Sequence, residues 1–498
     1  MTALIHPLDE RYLTSLHDES GLRGEAQSIS FPTDEAEIAA VVAEARRAGT
    51  PITVQGGRTG LAGAGVPLCG HVMNLSRMTR IGRPHAREDG TWVVSAQPGA
   101  TLLELRRSLA GARAGEALFW PPDPTESTAT IGGVVSCNAR GLTSALYGAT
   151  IAHVAGLRLL GEQGSISDLQ PDAGVAGAPV AGAGGGCNLD PFSLVVGGEG
   201  MFGVLTRLTL KLRVRPTTVW GICFFCRERE SACSVADGLV AQSPRSGSAA
   251  IACLEFLDRR SIALVAERRA DTAALQRLPE LDPAAHALIY AELHGDTEDD
   301  VVALAGRLMD VVTARGGEPD AWAFFSEAEV ERLRALRHAV PEAANLCVER
   351  ARQAATSAGT ARPVEPSVAE APRADSTILT LTTDMSLPGL SFGAVVEFYE
   401  AGLRGEGLDA CLYGPLRDNR LYVSLLPRTH DEFVRGRRLV EEWAVRAVAA
   451  GGRPVNEHGV GKLKKTLFAL GSEERRRELA RCKAALDPAG FWNPGNML

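Results

Sequence analysis

Long apolar runs are missing from this sequence. No stretch approaches the ~20 apolar residues that a helical membrane span requires, and the opening MTALIHPLDERYLTSLHDES has no basic start leading into an apolar run. No secretory signal is expected, and the chain reads as cytoplasmic with no membrane span. Blocks of basic residues are missing too: 52 Lys and Arg against 60 Asp and Glu give a net charge of −8, which argues against nucleic acid as a partner. Cysteine is thinly spread, ten in the chain with one CxxC pair, Cys223 and Cys226, inside the apolar strand-like run TVWGICFFC. No second cysteine or histidine pair sits near it, so these read as buried thiols rather than a metal or redox centre. What remains is the profile of a globular protein, 45% hydrophobic and 22% charged over 498 residues, long enough for about two to four domains.

Glycine, by contrast, is concentrated. In PITVQGGRTGLAGAGVP the β-branched run Ile52-Thr53-Val54 reads as a short buried strand that opens into Gly56, Gly57, Gly60, Gly63 and Gly65,. Glycine lets backbone approach a ligand closely and accepts positive φ, so successive N–H groups can converge on an anion. A pyrophosphate is the natural guest, although the spacing is neither GxGxxG nor GxxxxGKS/T. Its buried oxygens would need donors, for which Gly56, Gly57 and Gly60 offer backbone and Thr59 and Gln55 offer side chains, with Arg58 as a source of charge. A glycine-rich surface turn is the alternative.

Two later stretches favour the ligand. FWPPDPTESTATIGGVVSCNARGLTSALYG (119–148) places a proline-stiffened turn before a small-residue loop at Ile131 to Gly133, and LVVGGEGMFGVLTRLTLKL (194–212) reads as strand, glycine loop and alternating strand. Together with the first loop they suggest one extended ligand lying across several strand ends. On these motifs and the C-terminal NEHGVG the chain resembles the FAD-linked oxidases and dehydrogenases of the vanillyl-alcohol oxidase type. More closely it resembles the branch of D-lactate dehydrogenases, the glycolate oxidase flavin subunit and D-2-hydroxyglutarate dehydrogenase.

The resemblance implies an α+β chain: a two-subdomain PCMH-type FAD-binding domain over 1–214, a substrate or cap domain over 215–430, and a C-terminal helical segment over 431–498 that returns to the flavin. The strands VWGICFFC, AIACLEFLD and ALIYAELHG predict an antiparallel cap sheet with helices on one face. Pro171 to Asn188, nearly all glycine and small residues, reads as a mobile insertion, and 351–375 as a flexible excursion. Pro122, Asp123, Ser127, Thr130, Gly132, Gly133, Asn138 and Gly141 are implied to line flavin and pyrophosphate. Glu199, Gly200, Gly203 and Val204 would hold the adenine and ribose end, and Asn493 would sit near the flavin or cap a turn before Pro494. The first loop has no histidine and Cys137 falls past the family's tethering position, so FAD is expected to be non-covalent.

Oxidising a 2-hydroxy acid sends hydride to the flavin, and the hydroxyl proton needs a base. His458, framed by glycine in NEHGVG, is the candidate, with Glu457 beside it to orient it or bind a metal. Arg337, in ERLRALRHAVPEA, matches the family's carboxylate clamp, with Arg334 as competitor. Where relatives carry two metal-ligating histidines this chain has Pro415 and Tyr422, so no divalent-metal site is expected, and Tyr422 or Arg420 would hydrogen-bond substrate instead. The expected activity is FAD-dependent oxidation of a D-configured 2-hydroxy acid, with electrons passing to an electron-transferring flavoprotein, cytochrome or quinone, in a homo-oligomer or complex subunit. The alternative is a flavoprotein electron-transfer subunit without hydroxy-acid activity. An ether-forming transferase like alkyl-dihydroxyacetone-phosphate synthase fits less well, because there is no His-rich loop or lipid-facing tract.

Overall fold

The computed structural model describes residues 4–111, 117–171, 190–242, 248–358 and 378–498. The glycine-rich insertion read at 171–188 lies almost wholly outside the described residues, as does most of 351–375. Chain order opens with four short strands, β1 (Ile5–Pro7), β2 (Ser28–Ser30), β3 (Ile52–Gln55) and β4 (His71–Asn74), in the sheet order β1-β2-β4-β3. Helix α1 (Glu35–Arg47) links β2 to β3: Asp34 accepts from the Glu37 N–H to start it, and Ile38, Val41, Val42 and Ala45 form its buried face,. The free edge of β3 is taken by the C-terminal tail, where the Ile52 N–H donates to the Phe491 carbonyl at 2.7 Å and the Asn493 N–H to the Ile52 carbonyl at 2.8 Å. Phe491 and Trp492 are thereby buried beside Ile52 and Met73, and burial of a side chain like Phe491 contributes roughly 1.5–3 kcal/mol.

The second subdomain runs β5 (His85–Ala86), β6 (Trp92–Ala96), β7 (Leu118–Phe119), β8 (Val154–Leu160), β9 (Ile166–Leu169), β10 (Val204–Lys211) and β11 (Arg213–Val214). Five of these make an antiparallel sheet ordered β5-β6-β10-β8-β9, and β7 pairs with β11. Against the sheet pack α2 (Leu102–Ala110) and the short helices α3 (Ile131–Ser136) and α5 (Pro191–Val195), whereas α4 (Ser144–Tyr147) faces the cap, where Tyr147 bonds His294 and the Ala145 carbonyl accepts from Arg417. Two sequence readings change here. Ile131 to Gly133 opens a helix rather than a loop, because Thr130 caps it through the Gly133 N–H. Leu194 and Val195 end a helix rather than form a strand, because Asp190 and Pro191 start one,.

The cap contains α6 (Arg229–Ala241), α7 (Arg259–Arg268), α8 (Ala273–Gln276), α9 (Glu298–Ala314), α10 (Glu327–Ser357) and α11 (Phe392–Glu406). Its sheet is built from β12 (Thr218–Cys226), β13 (Ala249–Asp258), β14 (Ala287–Gly295), β15 (Trp322–Phe324), β16 (Leu381–Thr382), β17 (Ala410–Pro415) and β18 (Tyr422–Leu425). The seven strands lie in the order β15-β12-β14-β13-β17-β18-β16, antiparallel throughout. Side chains alternate: Ile289, Ala291 and Leu293 join one core with α6, α9, α11 and α12 (His430–Ala449), whereas Leu288 and Tyr290 join another with α7 and α10. Helices therefore cover both faces, not the one expected, because these strands are apolar on both sides. Residues 351–357, read as loop, complete the last turns of α10. The chain closes with α13 (Lys465–Ala469) and α14 (Glu473–Leu486), whose Leu479 and Cys482 pack into the second N-terminal subdomain.

Candidate active site

Close backbone packing shapes the N-terminal half of the site. A Cβ on Gly56 would fall 2.1 Å from Thr130 Oγ1, and one on Gly57 would fall 2.9 Å from the Thr128 carbonyl oxygen, so only glycine lets these two loops meet,. Behind them Gly132 rests on Pro98, where a Cβ would come within 2.6 Å of another carbon. One large cavity opens over this junction, lined by Gly56, Gly57, Arg58, Thr59 and Gly60 from the first loop, by Thr130, Gly132, Gly133 and Gly141 from the second, and by Gly200 and Gly203 from the third. The three glycine loops of the sequence converge on one space. Its polar backbone, the half-buried Arg58 and the absence of side chains at the glycines fit a diphosphate-containing ligand.

Several residues expected there do other work. Gln55 lines the cavity, but its side-chain amide donates to the carbonyls of Ser15 and Gly65, both at 2.6 Å, and so closes the loop. Pro122, Asp123 and Ser127 do not line the cavity; Pro124, Thr125 and Glu126 do. Asp123 pairs with Arg106 and offers its backbone to Gly141, whose Cβ would lie 2.3 Å from the Asp123 carbonyl carbon. The Ser127 carbonyl is taken by the Leu103 N–H at 3.0 Å. Asn138, at φ 48°, accepts from the Ile151 N–H at 2.9 Å and fixes a turn. Val204 is fully buried in the core around Ile52 and Trp492. Glu199 and Asn493 line the cavity but use their side chains as struts. Asn493 accepts from the Val54 N–H at 2.9 Å and donates to the Glu199 carbonyl at 3.1 Å.

Opposite the glycine loops stand Arg337, Glu255, Tyr413, Tyr422, Glu457 and His458. Arg337, on α10, is buried; its Nε donates to Glu255 Oε2 at 2.5 Å, and its Nη1 has no hydrogen-bond partner among the described residues. Its guanidinium carbon lies 4.9 Å from the centre of the Tyr413 ring and 5.5 Å from that of Tyr422, an aromatic setting that suits a planar cation. Against the cost of burial, Glu255 holds the guanidinium protonated. The competitor Arg334 is spent elsewhere, paired through both ends of its fork with Glu292. Pro341, one turn after Arg337, also lines the cavity and has no N–H to offer the Arg337 carbonyl,.

His458 is presented by an irregular segment after α12. Its ring centre is 4.8 Å from that of Tyr422, and its Nδ1 lies 3.9 Å from Asp384 Oδ2. Burial pushes the imidazole down to about 4, so it is neutral, and Nδ1 has no hydrogen-bond partner among the described residues. Glu457 is engaged on both oxygens: Tyr422 donates its phenol to one, and Arg420 forms an ion pair with the other. Pro415 lines the same wall. Among the described residues no group of three His, Cys, Asp or Glu could hold a metal ion. The residues at this wall do not fit one, since the remaining carboxylate already has its charge met by a guanidinium. Cys137 lines the cavity as a free thiol that burial pushes up to about 12. Cys223 and Cys226 are buried free thiols in β12.

Sequence reasoning missed Asp384. Its Oδ1 takes Lys464 Nζ at 2.9 Å, and its Oδ2 takes the backbone N–H groups of Asn456, Glu457 and His458. Against burial, Lys464 and His458 bring its carboxyl down to about 2. Nothing local in the sequence marks a partner more than 70 residues away.

Three glycine loops facing an arginine of the cap and an imidazole of the C-terminal segment define a ligand-binding scaffold. A family model described as FAD binding domain matches residues 26–170, and one described as FAD linked oxidases, C-terminal domain, matches residues 237–497. The chain belongs to the FAD-linked oxidases, and its cofactor is FAD. It is 25% identical over 474 residues to glycolate oxidase subunit GlcD of Bacillus subtilis, covering 94% of this chain and 88% of that one. To the probable mitochondrial D-lactate dehydrogenase of Danio rerio it is 27% identical over 477 residues, 94% and 84% of the two chains. A D-lactate dehydrogenase of Anaerostipes hadrus is 34% identical over 206 residues, which span 41% of this chain and 40% of that protein. The solved structure of 4-ethylphenol oxidase from Gulosibacter chungangensis superposes with a TM-score of 0.68 at 16% identity, covering 99% of this chain and 94% of the other. That likeness shows the vanillyl-alcohol oxidase type of fold.

Proposed function

We propose that this protein oxidises a 2-hydroxy acid of the D hand to the 2-oxo acid and hands the electrons to a protein or quinone acceptor. The observation that carries the reading is the unpaired Nη1 of a buried arginine in the same cavity wall as a neutral imidazole, with the Tyr422 ring touching both. A guanidinium with one nitrogen anchored on Glu255 and another free suits a substrate carboxylate, fixing its orientation as well as its charge,. The names of relatives matched over nearly the whole chain point to the same substrate class.

When bound, FAD supplies the hydride acceptor, held by the backbone of Gly56, Gly57 and Gly60, by Thr59, Arg58 and Thr130, and by the glycines of the second and third loops. Arg337 binds the acid through its carboxylate. Asp384, beside Nδ1, favours a hydrogen on that nitrogen, which leaves Nε2 of His458 to take the hydroxyl proton,. Tyr422, held by Glu457, fixes the wall between them. No step is assigned to a metal ion. FAD is held without a covalent bond, since the Cys137 thiol is a poor nucleophile in its protonated form.

Anaerobic mixing of the flavoprotein with paired D- and L-2-hydroxy acids tests the proposal. Bleaching of the flavin absorbance by D-acids is expected; bleaching by L-acids alone would refute the assigned hand.

A further inference from the structure

The segment Asn456–Gly461 that presents His458 is neither helix nor strand, yet five of its six backbone N–H groups end on two buried side chains. Asp384 Oδ2 accepts from Asn456 at 3.1 Å, Glu457 at 2.5 Å and His458 at 2.9 Å. Glu199 takes the rest: Oε1 accepts from Val460 at 2.6 Å and Oε2 from Gly461 at 2.7 Å. The two carboxylates come from opposite sides of the cavity. Asp384 follows β16 of the cap, whereas Glu199 sits in the glycine loop between α5 and β10 of the N-terminal domain.

Each carboxylate is held as firmly as it holds. Asp384 is braced by Lys464, and the carbonyl of Glu199 is clasped by the side-chain amides of Asn493 and Asn496 at 3.1 and 3.0 Å. A Cβ on Gly459 would come within 2.8 Å of Glu199 Oε1, at a φ of +76°, so the residue next to His458 must be glycine. Burying two carboxylates is costly unless every oxygen is hydrogen-bonded, and the loop amides together with Lys464 supply those bonds,. Loop and carboxylates are therefore mutually dependent.

We propose that Glu199 and Asp384 are positioning residues that fix His458 from two sides, and that Glu199 makes the placement of the imidazole depend on whether the cofactor cavity is filled. This rests on the reading of His458 as the base. Gly200 and Gly203, in the same turn as Glu199, line that cavity. A bound FAD orders the turn and with it the carboxylate; without FAD the turn loosens, Val460 and Gly461 lose their acceptor, and the loop is held from the cap alone. By linkage, whatever steadies the loop also tightens FAD.

Hydrogen exchange at single amides of the full-length protein tests this without any substrate. Stripping FAD from the wild type should speed exchange at Val460 and Gly461 by at least about tenfold, while the amides of Ala287–Gly295 in the cap sheet stay protected. Loaded Glu199→Gln, whose side chain keeps one acceptor oxygen, should show fast exchange with FAD present at whichever of the two amides faces its NH2 group, and Asp384→Ala should instead speed Asn456 to His458. Flavin reduction in Glu199→Gln should slow about tenfold at an unchanged KM, since Arg337 is untouched. Wild-type exchange at Val460 and Gly461 in loaded Glu199→Gln would overturn the proposal, and that comparison decides it even if stripping FAD unfolds the chain. The expected exchange pattern in a protein that no hydroxy acid reduces would leave the coupling standing and remove the assignment of His458.

Discussion

Arg337 and Glu255 meet at 2.5 Å between α10 and β13, and the same guanidinium leaves Nη1 unpaired at the cavity wall. One side chain thus serves as an internal ion pair and as an open recognition group. Arg337→Lys keeps the charge and loses the fork. Its KM for the acid should rise about ten- to a hundredfold, matching the ~1.5–3 kcal/mol of a charge-assisted hydrogen bond. Steady-state kinetics beside an unchanged flavin spectrum reads this out, and an unchanged KM would remove Arg337 from the substrate site.

The pH profile should be set by burial. His458 sits at about 4 instead of the ordinary 6.5, and a proton acceptor works only in its neutral form. Lowering the pH therefore costs activity only as the lower value is approached, so kcat/KM should run flat through 6.5 and fall towards about 4. An acid limb centred near 6.5 would show the imidazole to be solvated, or another group to be the base.

Glu457 has one oxygen on Tyr422 and the other on Arg420. Dialysis against EDTA should leave the rate unchanged, and metal analysis of the purified protein should find less than one ion per chain. Stoichiometric zinc or manganese lost together with activity would contradict this arrangement.

Gly56→Ala places a methyl group where Thr130 Oγ1 now lies 2.1 Å from the ideal Cβ position. The first and second loops must part, and FAD affinity should fall at least about tenfold, of the order expected when a close backbone contact is displaced. Flavin fluorescence titration measures it. In the wild type, acid precipitation should release all the flavin into the supernatant; yellow precipitate would point to a bond at Cys137.

Much of the site was legible because glycine reports on backbone. Gly56 and Gly57, and Gly132 and Gly141, sit at close approaches that a Cβ would block, and such a signal survives in one sequence. His458 was visible through its glycine frame, and Arg337 through its resemblance to a known clamp. What escaped was the long-range pairing of side chains. Gln55 looks like a ligand donor until the carbonyls of Ser15 and Gly65 are seen to take its amide, and Asn138 looks like a flavin contact until its side-chain oxygen is seen to accept from the Ile151 N–H. Glu199 looks like a ribose contact until the amides of Val460 and Gly461 arrive from 261 and 262 residues away. Helix boundaries failed where one residue tipped the balance: Asp190 with Pro191 made a helix of an apolar run, and α10 ran on to Ser357 because its last turns are good helix formers despite looking like linker,.

The most direct test is anaerobic stopped-flow reduction of bound flavin in the wild type and in His458→Ala, using the acid that bleaches the wild type fastest. The wild type should be reduced in a single substrate-dependent phase. The variant, with FAD still bound, should be slower by about a hundredfold or more, the usual weight of a general base. Equal rates in the two proteins would contradict the account at its centre.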